Sequence, residues 1–160
     1  FIPKPHSPFQ WEAQISMEEY LRRVNLLRSS ITAKSVTYNW HDAETSLIEA
    51  VLSRGDRRVA DAIEAVWRAG GRLDSWTDYF SFERWMRAFE QCGIDPDFYA
   101  ARERSTDEVL PWDMIDTGVR REHFLHEREM CYASALSPDC RRQCSACGAA
   151  RLLKGGRCDG

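Results

Sequence analysis

Three thiols in the stretch Cys140-Arg-Arg-Gln-Cys144-Ser-Ala-Cys147-Gly148 stand at C-x3-C-x2-C spacing, a pattern suited to metal ligation. Loops this short turn the chain back with no helix or strand holding the sulfurs apart, so three thiolates can reach one centre. The fourth ligand is then the first question. Cys158, beyond Gly155-Gly156, is the nearest candidate. His123 and His126 are three apart on one helical face, but Glu127 and Arg128 beside them favour an ordinary exposed surface. Cys92 and Cys131 fall inside helical patterns, and that distribution fits a metal set better than a disulfide framework. Isolated knuckles of this size commonly hold zinc, whereas the spacing favours an iron–sulfur cluster, so both remain open.

A second group mixes charges: His41, Asp42, Glu44, Arg54, Asp56, Arg57 and Arg58 surround two expected helix starts. Helix N-termini flanked by arginine can bind anions, which makes His41, Arg54, Arg57 and Arg58 candidate substrate-binding residues. Helix capping with surface ion pairs is the simpler account, because Asp42 and Asp56 sit where N-caps belong.

These residues must be positioned by helices. Ser16 and Glu19 form a capping box, and Met17, Tyr20, Leu21, Val24 and Leu27 share one face of a helix expected to run to about Ala33. Ser35–Trp40 alternates and carries β-branched and aromatic residues, which predicts a short strand. Asp42 opens a helix striped by Leu47, Ile48, Val51 and Leu52 that Gly55 ends. Asp56 is expected to cap a third, with Val59, Ile63, Val66 and Trp67 inward, and the short break predicts an antiparallel pair. Ser81 caps a fourth carrying Phe82, Trp85, Met86 and Phe89; Asp95-Pro96 starts a short fifth. A turn-rich connector, Ser105 to Gly118, leads to a last helix from near Arg120 to about Ala135, with Phe124, Leu125 and Tyr132 inward.

Composition agrees with a folded domain. Of 160 residues, 43% are hydrophobic and 29% charged, enough apolar content for one core. No run approaches a membrane span and no secretory leader pattern opens the sequence, so a cytoplasmic protein with no membrane partner is expected. A net charge of −3 argues against general coating of nucleic acid. Locally, Arg141, Arg142, Arg151, Lys154 and Arg157 make the tail basic. Among six tryptophans, Trp67 and Trp85 fall on apolar stripes, while Trp11, Trp40, Trp76 and Trp112 are expected to bury from loops or element ends. The opening Phe1-Ile2-Pro3-Lys4-Pro5-His6 reads as the end of a buried strand entering a proline-rich loop, as in a fragment of a longer protein.

Several motifs together resemble a known family. Phe1-Ile2-Pro3-Lys4-Pro5-His6-Ser7-Pro8-Phe9-Gln10-Trp11 is similar to the segment closing the catalytic barrel of B12-binding-type radical SAM proteins. His41-Asp42-Ala43-Glu44, Ser53-Arg54-Gly55-Asp56-Arg57-Arg58, Leu110-Pro111-Trp112-Asp113 and Asp116-Thr117-Gly118-Val119 resemble the C-terminal region of an uncharacterised branch annotated among Fe–S oxidoreductases. The resemblance covers residues 1 to about 148. It implies an N-terminal cobalamin-binding-like domain and a SAM-cleaving barrel outside this sequence, with S-adenosylmethionine, a [4Fe–4S] cluster and, where the first domain is functional, cobalamin as their cofactors. It places His6 after the last barrel strand, where active-site loops emerge, as a further substrate-binding candidate. Cys140, Cys144 and Cys147 have the family's catalytic spacing but come far too late for it, so they imply an auxiliary site. The branch often has a cysteine where this chain has Ala150; either Cys158 substitutes for it or the site is three-coordinate.

The expected architecture is therefore mainly α, with about six helices and one or two short strands, the first being the end of a radical SAM barrel. Residues 1–11 form that strand and exit segment, 12–136 a helical domain and 137–160 a cysteine-rich metal-binding tail. The expected function is that of a C-terminal accessory domain covering the barrel and carrying Cys140, Cys144, Cys147 and Cys158 as metal ligands. Its partner is the enzyme's own barrel, and catalysis is not expected from this stretch alone. A metal knuckle docking RNA or a ribosomal partner is the alternative.

Overall fold

A computed structural model describes residues 2–152, which are mainly helical. Six α-helices follow in order: α1 (Met17–Ser30), α2 (Ala43–Arg54), α3 (Val59–Arg68), α4 (Phe82–Gln91), α5 (Pro96–Ala100) and α6 (Arg121–Tyr132), then a 3-10 turn at Ala149–Leu152. Among the described residues no helix is long and apolar enough to cross a membrane.

Helix starts follow local chemistry. The side chains of Ser16, Asp42, Ser81 and Asp95 accept hydrogen bonds from Glu19, Thr45, Arg84 and Asp97 N–H, satisfying donors that the first turn leaves unpaired. Asp56 departs from this pattern. Its carboxylate takes the Arg58 N–H at 3.0 Å and the Arg58 guanidinium at 2.6 Å, so α3 begins at Val59 without a side-chain cap. The neighbouring arginine outcompetes the helix amides for that carboxylate.

The described residues contain no strand. Ser35–Trp40, expected to form one, is extended or turn backbone; a strand is stable only with a partner, and here Tyr38 and Trp40 instead stack at 5.5 Å. Ile2–Pro3 is likewise unpaired, with Ile2 packed on the helical core. The strand expected at the start of the chain thus has no pairing here, and Phe1 lies outside the described residues.

The chain divides into two units, Phe1–Ile2 with Ala13–Arg104, and Pro3–Glu12 with Ser105–Gly160. The expected boundary near residue 137 falls within the second unit. The first holds α1–α5 around Ile48, Val51, Val59, Val66, Trp85, Phe89, Ile94 and Tyr99. Burying each aliphatic or phenylalanine side chain among these contributes roughly 1.5–3 kcal/mol relative to leaving it exposed. The main partner of α2 is α5 and that of α3 is α4, rather than each other as the short break suggested. Gly55 is extended, and the Asp56–Arg58 turn redirects the chain. Glycine is required there by proximity, since a Cβ would lie 2.5 Å from Val59 Cγ2 and 2.7 Å from the Val51 carbonyl.

Two arginines are buried where α2 meets α5. Arg54 is 0% exposed and donates from Nη1 to the Ala100 carbonyl at 3.2 Å; Arg104 donates from Nη2 to the Tyr99 carbonyl at 3.0 Å and the Arg54 carbonyl at 3.4 Å. Those carbonyls close helix C-termini, where cations complement the dipole and no intrahelical donor remains.

Apolar faces are less covered than periodicity suggested. On α1 only Val24 is buried, with Leu21 and Leu27 about half exposed; on α3 Val59, Ala62 and Val66 point inward, while Trp67 is 57% exposed beneath the Arg72 guanidinium. Trp40 and Trp76, expected to be covered, are exposed.

The second unit is built on Trp11, Leu110 and Trp112, with Phe124 and Leu125 of α6 packed against them. Trp112 Nε1–H donates to Gln10 Oε1 at 2.7 Å, tying the exit segment to the Leu110–Asp113 turn across 102 residues. Arg128 pairs with Glu12 at 2.6 Å and fixes α6 to the same segment. Tyr132, expected inward, is exposed, its ring edge-on to Phe9.

Candidate functional site

The second unit joins three of the sequence motifs. The first contribution comes from the exit segment, where His6 adopts φ +53, a left-handed conformation that a side chain bearing Cβ rarely holds without support. Support comes from Gln10, whose Oε1 accepts the His6 N–H at 3.0 Å while also accepting from Trp112. Nε2 of His6 is buried and has no hydrogen-bond partner among the described residues. An orphaned ring nitrogen of this kind costs about 1–3 kcal/mol until something supplies its partner.

His6 lines a cavity of about 380 Å³ together with Gln10, Asp113, Asp116, Thr117 and Arg121. Asp113 Oδ2 accepts the Leu110 N–H at 2.8 Å and meets the Arg121 guanidinium at 3.3 Å. Arg121 also donates to the Thr106 and Glu108 carbonyls and stands 5.4 Å over the Trp11 ring. Asp116 Oδ1 accepts the Gly118 N–H and pairs with Arg151. The cavity thus offers carboxylate acceptors, a hydroxyl and an imidazole nitrogen, groups that bind and orient a small polar molecule through hydrogen bonds.

The cysteine stretch docks beside this lining. Arg120 N–H donates to the Cys147 carbonyl at 2.8 Å, and the Arg120 guanidinium reaches the Ala146 carbonyl. The approach is backbone to backbone. Gly148 has φ +101, and a Cβ on it would lie 2.8 Å from both the Gly118 carbonyl and Arg120 Cγ; on Gly118, at φ +82, a Cβ would lie 2.5 Å from the Leu152 side chain. Asp116-Thr117-Gly118-Val119, read from sequence as turn residues, is thus the seat on which Cys147-Gly148 rests.

Within the knuckle, Cys144 Sγ accepts the Ala146 N–H at 3.4 Å, with Ala146 at φ +54. Such N–H···S bonds stabilise a thiolate and are the usual outer support of a cysteine ligand. Cysteine thiolates are donors that zinc and iron–sulfur clusters both accept. Cys140, Cys144 and Cys147 are free thiols, and among the described residues no three His, Cys, Asp or Glu side chains converge on a common centre. Cys158 lies outside the described residues. His123 and His126 stay on α6, His126 exposed.

The remaining candidates belong to the first unit and form no single site. His41 Nδ1 meets Ser46 Oγ at 2.8 Å, Arg57 is exposed, and Arg58 holds Asp56 and lies 5.9 Å over the Phe98 and Tyr99 rings. Arg54 is the buried helix-end donor described above rather than a surface cation. The Arg58 guanidinium holds the Asp56 carboxyl down to about 2, and burial raises the neighbouring Tyr99 hydroxyl above its ordinary value. Asp113, Asp116 and Arg121 were missed as lining residues, although two of them stand in motifs with evident turn chemistry.

No protein-family model, curated protein or solved structure matches the chain.

Proposed function

We propose that this chain is the C-terminal accessory region of a B12-binding-type radical SAM enzyme, with Phe1–Pro3 as the end of the barrel and residues 105–160 as a metal-bearing platform beside the exit loop. The supporting observation is that three motifs carrying the resemblance meet in one unit: Gln10 ties the exit segment to Trp112, and Gly118 seats Cys147-Gly148. His6 would then follow the last barrel strand, on the side where active-site loops emerge. Cys140, Cys144, Cys147 and Cys158 are the ligand set in this proposal. A bound zinc ion would cross-link the tail, and an iron–sulfur cluster would in addition store an electron. The residues themselves dock the tail, present thiolates and line a small polar cavity. A cytoplasmic location belongs to the same proposal.

The alternative, a knuckle that docks RNA or a ribosomal partner, has less support. Arg141 and Arg151 are engaged with Asp139 and Asp116, and the Arg120 guanidinium with the Ala146 carbonyl, which leaves Arg142 as the described cation nearest the knuckle with no such role.

Anaerobic purification of the full-length protein, with metal analysis and an absorption spectrum, tests the ligand set. Stoichiometric iron with a broad visible band, or stoichiometric zinc, is expected in the wild type and lost in Cys144→Ala. A metal-free wild type unaffected by that change would remove the knuckle proposal. Truncation at Pro138 addresses the role: impaired SAM cleavage or substrate binding is expected, whereas intact turnover with loss of RNA binding would favour the docking alternative.

A further inference from the structure

Residues 36–40 have the makings of a strand and nothing to pair with. Lys34-Ser35 turn the chain after α1, and residues 36–40 then run on with no turn or bend toward α2. Val36, Tyr38 and Trp40 alternate with Thr37 and Asn39, and the Tyr38 and Trp40 rings stack at 5.5 Å, as side chains two apart do on one face of a strand. That face is held. Arg28 of α1 stands 5.8 Å over the Trp40 ring, and the Tyr20 hydroxyl donates to the His41 carbonyl, so α1 grips the returning segment at two points. The backbone is not held. The Val36 N–H donates to the Ala33 carbonyl at 3.1 Å, but among the described residues no N–H or carbonyl from Thr37 to Trp40 makes a hydrogen bond. Exposed strand edges usually carry a proline or a charge that blocks pairing, and residues 36–40 carry neither. Val36 and Trp40 are about half exposed, so nothing described covers the row.

We infer that residues 36–40 are a docking strand, which pairs through its backbone with an extended, acidic segment of a partner protein. The open row of donors and acceptors selects an extended peptide, because another strand offers complementary groups at matching intervals. Other partners fit less well. A bilayer core supplies no hydrogen bonds to an unpaired backbone. Single-stranded nucleic acid stacks on free aromatic faces, whereas Trp40 is already stacked on Tyr38 and lies beneath Arg28. Charge selects the side chains. From Tyr20 to Trp40 the charged residues are Arg22, Arg23, Arg28 and Lys34, with no carboxylate, in a chain of net charge −3. Arg22 and Arg23 answer Glu19, which leaves Arg28 and Lys34 to meet carboxylates of the incoming segment. A second copy would bring the same cations together, so like charge opposes self-pairing. With the segment already held extended by α1, pairing costs little further ordering. Neither the cysteine knuckle nor the radical SAM assignment enters this inference, so it stands or falls separately.

The test is titration of the whole chain with the peptide acetyl-Glu-Val-Thr-Val-Glu-Val-amide, followed by amide resonances and amide hydrogen exchange over residues 36–40. The peptide is expected to saturate with a Kd of about 1 mM. At about ten times that concentration, exchange should slow about tenfold at one alternate set of amides, Thr37 with Asn39 or Tyr38 with Trp40, because successive N–H groups of a strand face opposite edges. N-methylation of alternate peptide amides removes donors and should weaken binding about fivefold or more. A counterpart with Lys for each Glu should bind about fivefold more weakly, and Lys34→Glu, at an exposed position, should narrow that preference to about twofold. Thr37→Pro or Tyr38→Pro, whichever removes a protected N–H, should abolish binding; the peptide variants keep the test decisive even if neither folds. No perturbation by the peptide at about 10 mM, protection of consecutive rather than alternate amides, or equal binding of the N-methylated or lysine peptide would overturn the inference. So would stronger perturbation by an oligouridylate, or alternate protection at high protein concentration without peptide, which would make a second copy the occupant.

Discussion

Gly148→Ala is the most direct perturbation of the cysteine knuckle, because the structure shows what a single methyl group would meet. At φ +101 a residue bearing Cβ is strained by roughly 1–2 kcal/mol before any contact is considered. The added carbon would also lie 2.8 Å from the Gly118 carbonyl oxygen, a backbone atom that cannot rotate away, so the two segments must separate. Separation breaks the 2.8 Å bond from Arg120 N–H to the Cys147 carbonyl, worth about 1 kcal/mol net. The sum, about 2–3 kcal/mol, corresponds to roughly 30- to 150-fold easier opening of the docked segment. Amide hydrogen exchange at Arg120 reads that opening directly, and its rate should rise by this factor while amides within α6 change little. Two comparisons separate clash from strain. Gly118→Ala, at φ +82, meets the flexible tip of Leu152 and should give a smaller rise; Gly70→Ala, at φ +88 with nothing within 4 Å, should leave Arg120 unaffected. An Arg120 exchange rate unchanged in Gly148→Ala, or changed equally by Gly70→Ala, would refute the docking argument.

Two further measurements address the first unit. Phe89→Ala removes a side chain that is 1% exposed at the centre of the core and should lower unfolding stability by about 3–5 kcal/mol in denaturant titration, whereas Trp67→Ala, exposed on α3, should lower it by no more than about 1 kcal/mol. The Asp56 carboxyl is held at about 2 by Arg58, below its ordinary 3.8, so its contribution is present above pH 3.8 and fades as pH falls toward 2. Screening at this partly exposed pair limits it to below about 1 kcal/mol, and Asp56→Asn should flatten stability between pH 4 and 2 without changing the slope at higher pH; an unchanged slope across that window would show that Arg58 does not hold the carboxylate.

What could be read in advance was set by range. The caps at Ser16, Asp42, Ser81 and Asp95 depend on atoms two or three residues away, and each forms as its sequence context dictates. Asp56 fails the same rule because a competitor, Arg58, is equally local and carries a full charge. Periodicity located the helices but not their covering. Leu21 and Leu27 of α1 and Ile63 and Trp67 of α3 lie on well-formed stripes, yet a stripe states which residues share a face, not whether another element reaches it. Ser35–Trp40 had the composition of a strand and no partner to pair with, a condition composition cannot express.

The sites divide along the same line. C-x3-C-x2-C spacing is visible because the cysteines are neighbours, but the seat of the knuckle is made by Gly118 meeting Gly148, thirty residues apart, and each glycine alone resembles any turn residue. Strain offers a way to see past this limit once coordinates exist. His6 and Leu73 carry positive φ without being glycine, and each lies within one residue of a buried polar atom lacking a hydrogen-bond partner, Nε2 of His6 and Oδ1 of Asp74. A strained backbone persists only where surrounding contacts over-determine it, here Gln10 around His6 and Trp85 with Arg84 around Asp74. Removal of the strain, not removal of the side chains, is therefore the discriminating experiment: Leu73→Gly should raise unfolding stability by up to about 1 kcal/mol in denaturant titration, and an unchanged or lowered stability would show that the φ +55 conformation carries no cost.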